Sequence, residues 1–144
     1  MIQKENTIHG ILTVSRTIAV VGLSAQPDRP SHEVAEYMQR HGYRIVPVNP
    51  TYAGDRILGE HCYATLTQAS AATSESGSNI DIVDCFRKSE HIMPVVEEAI
   101  AIHARCVWMQ LGVSDPVAAA KAEAAGLFVV MDKCIKIEHQ VLFR

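Results

Sequence analysis

Residues 17–31, TIAVVGLSAQPDRPS, decide the fold. The run TIAVV is uncharged and mostly β-branched, as expected of a strand covered on both faces in a parallel sheet. Gly22 ends the run, and a polar segment over residues 23–30 follows. Residues 31–41 then place Val34, Ala35 and Met38 on one helical face before Gly42 stops the helix. A buried strand, a glycine turn and an amphipathic helix make the first unit of an α/β sheet.

Outward from that unit the alternation repeats. Residues 43–48 read as a second strand closed by Asn49-Pro50, followed by an irregular stretch with a brief extended piece near Cys62. A short helix is expected over residues 65–71 and a polar loop, TSESGSN, over residues 73–79. Strands at 80–86, 105–110 and 127–131 alternate with helices at 89–103 and 115–125, the last opened by the N-cap pair Asp115-Pro116. Residues 2–16 suggest an amphipathic helix through Ile8, Ile11 and Leu12, and the tail from Asp132 a closing one. The expected fold class is α/β: one domain over residues 1–144, a Rossmann-like three-layer sandwich on a five-stranded parallel sheet. A strand order 3-2-1-4-5 is expected, with a switch point beside the first strand.

The chain has 144 residues, 48% of them apolar and 20% charged, with a formal net charge of -3. That length suits one domain with its own core. The acidic balance argues against a nucleic-acid partner. Its apolar runs are strand-sized, too short for a membrane span. The N-terminus, MIQKENT, has no apolar signal region, so a cytoplasmic protein with free thiols is expected of Cys62, Cys85, Cys106 and Cys134. No His/Cys pair has a standard zinc spacing, and no metal site is expected.

In an open α/β sheet, ligands bind outside the carboxyl ends of the strands. The loops there carry Arg29, Arg87, Lys88, Lys133 and Lys136, so an acidic chain has put much of its positive charge on one rim. Such a rim suits an anion held at helix N-termini. Gly22 allows a close turn, Ser24 offers a hydroxyl to a phosphate, and Arg29, Pro30 and Ser31 stand where the next helix begins. The plain alternative is an ordinary strand-to-helix turn with Ser31 as N-cap. A dinucleotide fingerprint would need a second glycine where Ser24 stands, and an acid at the tip of the second strand, where Val48-Asn49-Pro50 stands. Both departures argue against NAD. Neither disfavours a nucleotide whose ribose carries a 3′-phosphate, which a carboxylate would repel.

Five stretches, VVGLSAQPDRPSHEVAEYM, IVPVNP, VDCFRKSEH, VWMQLGV and VVMDKCIKIEH, resemble in order and spacing the CoA-binding domain family. Its best-known member is the nucleotide-binding domain of the succinyl-CoA synthetase alpha subunit. The resemblance implies that Gly22, Ser24 and Arg29 hold phosphates, and that Val48, Asn49 and Pro50 border the adenosine. It implies that Phe86 and Arg87 line the path of the pantetheine arm, closed by Gln110 and Gly112. The larger synthetases add a domain with a phosphorylated histidine. No such domain follows here, so their ligase reaction is not expected.

Cys134, with Lys136 nearby, falls on the same rim, either as a candidate for a mixed disulfide with a ligand thiol or as a packed apolar side chain. Cys62, Cys85 and Cys106 read as core residues, as does Trp108. The favoured expectation is a non-catalytic module binding coenzyme A or an acyl-CoA, as carrier, sensor or partner subunit. The alternative is a small enzyme of acyl-CoA transfer or NADP-linked reduction, for which His91 and Cys134 on one rim are the motive. A homodimer through an edge strand or residues 140–144 is left open by the sequence.

Overall fold

The computed structural model describes residues 7–144. Of the expected N-terminal helix, residues 1–6 lie outside the described residues. The remainder forms α1 (Ile8–Val14), whose N-terminus is capped by Thr7 through its side chain. Strand β1 (Thr17–Val21) follows, then α2 (Pro30–Arg40) and β2 (Arg44–Val48). A 3-10 turn over Pro50–Tyr52 leads into a small antiparallel hairpin of β3 (Arg56–Ile57) and β4 (Glu60–His61). The rest alternates: α3 (Leu66–Glu75), β5 (Ile82–Cys85), α4 (Ile92–Ala101), β6 (Cys106–Met109), α5 (Pro116–Ala124), β7 (Phe128–Val130) and α6 (Ile135–Leu142).

The five long strands form one parallel sheet in the order β2-β1-β5-β6-β7. The architecture is the expected three-layer α/β sandwich, but the strand order is not. Counting only these five strands, the order is 2-1-3-4-5, so β5 lies beside β1 and not beyond β2. Pro47 supplies the physical reason. Its carbonyl faces outward and accepts from Tyr63 N at 3.0 Å, so its nitrogen faces outward too, with no N–H for a further strand. A proline in that position makes β2 an edge.

Alternate residues of the strands feed two cores. One contains Ala19, Val83 and Val107 with side chains of α3, α4 and α5. The other contains Val20, Ile82 and Trp108 with side chains of α1, α2 and α6. Cys62, Cys85 and Cys106 are fully buried, and burial pushes all three thiols up. Trp108 is buried and donates its indole N–H to Lys133 O at 2.8 Å.

Two local expectations are corrected. The expected loop over 73–79 begins later, because α3 continues to Glu75 with Thr73 buried and its hydroxyl donating to Ala69 O at 2.7 Å, and only 76–79 are turn and loop. Ser31 is not the N-cap of α2. Arg29 occupies that position without a side-chain capping bond, Pro30 is the first helical residue, and the Ser31 hydroxyl accepts from Ser24 N at 3.0 Å.

Candidate binding site at the carboxyl ends of the strands

The observed strand order puts the switch point between β1 and β5, since the chain leaves β1 towards β2 and later returns to β1's other side. Gly22 sits there. Its N–H donates to Val48 O at 2.8 Å, and the next strand end is tied in by Phe86 N donating to Val21 O at 2.8 Å. The Gly22 φ is 92°, a left-handed value, and a Cβ at this position would clash with the Phe86 carbonyl oxygen. Only glycine fits.

Beside Gly22 a polar cleft of about 400 Å³ is lined by Ser24, Gln26, Arg29, Pro30, Ser31, Asn49, Thr51, Tyr52 and Phe86. Its walls are braced from within. Ser24 Oγ accepts from Gln26 N at 3.0 Å, which leaves the hydroxyl proton available. Asn49 is buried and ties the β2 tip to the β1 loop, donating to Leu23 O at 3.0 Å and accepting from Thr51 N at 3.0 Å. Arg29 Nε donates to Gln26 Oε1 at 3.1 Å, and its terminal nitrogens make no hydrogen bond among the described residues. The N-terminus of α2 opens on this cleft without a side-chain cap. A cation, a free hydroxyl and a helix N-terminus together favour an anion.

A second cleft, about 530 Å³, lies on the other side of Phe86. Pro30 and Phe86 line both, so the two are adjoining compartments. The remaining walls of the second are Val34, Arg87, Lys88, Gln110, Leu111, Val113 and Cys134, largely apolar with the two cations among them. Behind it, Gln110 Nε2 donates to Asp84 Oδ1 at 2.6 Å. Asp84 is 1% exposed, and burial pushes its carboxyl up to about 7 against the Gln110 hydrogen bond, which pulls it down.

Of the positions singled out from sequence, Gly22, Ser24, Arg29, Pro30, Ser31, Asn49, Phe86, Arg87, Gln110 and Cys134 gather on these two clefts. Four do not. The Val48 side chain is buried in the core under α3, and only its carbonyl serves the loop. Pro50 is exposed at the start of the 3-10 turn, and Thr51 and Tyr52 line the cleft in its place. Gly112 is exposed, with φ 80° and its N–H on Asp132 Oδ1 at 2.7 Å. Lys136 lies over the Tyr37 ring, 5.6 Å from its centroid, facing a different depression. His91, which with Cys134 on one rim motivated the enzyme alternative, is exposed and lines neither cleft.

A family model described as "CoA binding domain" matches residues 16–140. The chain belongs to the CoA-binding domain family. An uncharacterized protein of Bacillus subtilis (strain 168), YneT, is 42% identical to this CoA-binding domain over 134 residues, 93% of each chain. Two solved structures superpose with a TM-score of 0.85. One, a hypothetical protein from Pyrococcus horikoshii OT3, is 36% identical, with 99% of this chain and 94% of that one covered. The other, cell-free ID.343 from Thermus thermophilus, is 33% identical, with 99% and 100% covered.

Gln26, Thr51, Tyr52 and above all Asp84 belong to the site of this CoA-binding domain without having been singled out from its sequence. The first three are ordinary loop residues that only the fold brings to the cleft. Asp84 did carry a signal, an acid inside the apolar run IDIVDCF, since unpaired acids are seldom fully buried. No described helix is long and apolar enough to cross a membrane. Among the described residues no group of three or more His, Cys, Asp or Glu is placed to hold a metal ion.

Proposed function

We propose that the chain binds coenzyme A, free or acylated, along the two adjoining clefts, as a carrier, sensor or partner module with no catalysis of its own. The carrying observation is the pair of compartments that meet at Pro30 and Phe86, one suited to an anion and one largely apolar. Coenzyme A has the same division, an anionic nucleotide head and a long pantetheine arm. In this reading Ser24, Arg29 and the α2 N-terminus take phosphates, while Asn49, Thr51 and Tyr52 border the adenosine. The arm passes Phe86 towards Gln110, and its thiol end reaches Cys134. Membership of the CoA-binding domain family supports the ligand class. The β2 tip offers Asn49 in place of the acid that NAD recognition uses.

Calorimetry with coenzyme A, acetyl-CoA, NAD and NADP tests the reading. Binding of the two CoA species is expected, and no heat with CoA at millimolar concentration overturns it. Replacing Arg29 by Ala removes one charge-assisted contact and should weaken CoA binding about tenfold without altering the fold. Unchanged affinity would put the phosphates elsewhere. Turnover in a panel of acyl-CoA and reduced-nicotinamide assays would overturn the non-catalytic role.

A further inference from the structure

Gln110 is a buried side chain, 4% exposed, at the wall of the apolar cleft. A primary amide has a donating end and an accepting end, and which end faces a ligand depends on what holds the other. Here the donating end is held. Nε2 points back into the sheet and donates to Asp84 Oδ1 at 2.6 Å. The accepting end, Oε1, has no hydrogen-bond partner among the described residues. It is not sealed in either, for among the described residues the one enclosed side-chain polar atom without a partner is Ser15 Oγ. The oxygen therefore keeps some access, and the space that Gln110 borders is this cleft.

Asp84 has no other evident task. It lies at the β5 register position between Val20 of β1 and Trp108 of β6, on the core side that holds Ile82 and Cys106. A carboxyl in such surroundings is costly, and valine or leucine would pack there without that cost. Asp84 makes no ion pair among the described residues, and Gln110 is its one hydrogen-bonding side chain. What the acid supplies is direction, since an ionised carboxyl can only accept, and an acceptor at this point selects the amide's N–H end.

We propose that Asp84 is a positioning residue which holds the Gln110 amide with Oε1 turned into the apolar cleft, as the acceptor for an N–H donor on the ligand's arm. This rests on the coenzyme A reading and deepens it. The pantetheine arm carries two amide N–H groups along an otherwise apolar course. A single buried acceptor would fix its register while the nucleotide end is held separately across Phe86.

The test compares coenzyme A with adenosine 3′-phosphate 5′-diphosphate, which is coenzyme A without the arm. Dissociation constants are measured for wild type, Asp84→Leu, Gln110→Leu and the double variant. Each single substitution should weaken CoA binding about fivefold to tenfold, the scale of one buried hydrogen bond. Each should leave the armless nucleotide within about twofold of wild type. The double variant should be no worse than Gln110→Leu alone, because Asp84 acts through Gln110. Should Asp84→Leu fold poorly, Asp84→Asn replaces it, since an asparagine accepts or donates and frees the amide to turn. Equal weakening of both nucleotides, unchanged CoA affinity, or losses that add in the double variant would each overturn the proposal. Failure of the underlying reading looks different, for wild type itself would then bind neither nucleotide.

Discussion

At the residue scale, Gly22 and Asp84 bear opposite relations to stability. Gly22 satisfies a demand of the fold, with a left-handed φ and the Phe86 carbonyl where a Cβ would stand. Gly22→Ala should cost roughly 3 kcal/mol or more, since the clash is with backbone that cannot rotate away. Urea denaturation measures it, and a loss below about 1 kcal/mol would mean that the β1 and β5 loops part easily. Asp84 is retained against stability. Its folded pKa of about 7 exceeds its ordinary 3.8, so between those values the folded chain keeps a proton that the unfolded chain has lost. Its contribution is intact below about pH 4 and lost as pH rises through 7, at about 1.4 kcal/mol per pH unit. Asp84→Asn removes this titration. Its stability relative to wild type should therefore rise by on the order of 3 kcal/mol between pH 5 and pH 8. Chemical denaturation at the two pH values reads the difference, and a pH-independent gap would show that Asp84 does not titrate in that window.

At the scale of elements, the individual strands and helices were legible from sequence to within a few residues, because buried parallel strands are continuous apolar runs. Their order was not. Periodicity reports which faces are covered and says nothing of neighbours. The one available clue, Pro47, acts through a missing donor on one edge, which becomes visible only when strands are paired. The same limit explains Lys136. Adjacent in sequence to the rim, it lies in the first turn of α6, which directs it onto the Tyr37 ring of α2. That α2–α6 contact is also where a histidine is lodged. His139 is 6% exposed, pairs through Nδ1 with the Tyr37 hydroxyl at 2.8 Å, and meets the rings of His41, Tyr43 and Phe143. Burial, with a smaller part from His41, holds its pKa below the ordinary 6.5. The sign is opposite to that of Asp84, for the folded state prefers the uncharged ring. The stability it contributes is present above about pH 6.5 and falls as pH drops below that value. Amide hydrogen exchange over Ile135–Leu142 should accelerate at pH 5 relative to pH 7, after correction for intrinsic rates. In a His139→Phe variant that extra acceleration should vanish. If it persists, another group loosens α6.

At the scale of the whole molecule, the strand order decides what kind of ligand can be held. Had β5 lain beyond β2, the loop after β1 would have no neighbour at Phe86, and the two clefts would not adjoin. In the observed order β2, β1 and α2 surround the polar compartment, while β5, β6 and the segment before α6 complete the apolar one. A ligand spanning both therefore links loops that are far apart in sequence, from Ser24 to Cys134. Such bridging should appear as global stabilisation. At a free ligand concentration one hundred times its dissociation constant, binding to the folded state alone adds about 2.7 kcal/mol. For a domain of this size, that corresponds to a rise in Tm of about 5 to 10 °C. Coenzyme A should produce the full shift. The armless nucleotide, matched to one compartment only, should bind more weakly and at the same total concentration should give a clearly smaller one. NAD should give less than about 1 °C, because its second nucleotide is ill matched to the apolar compartment and the β2 tip lacks an acid for its ribose. Scanning calorimetry with the three ligands ranks them. A shift with NAD equal to that with coenzyme A would mean that the polar compartment alone sets affinity and that the apolar cleft serves some other purpose.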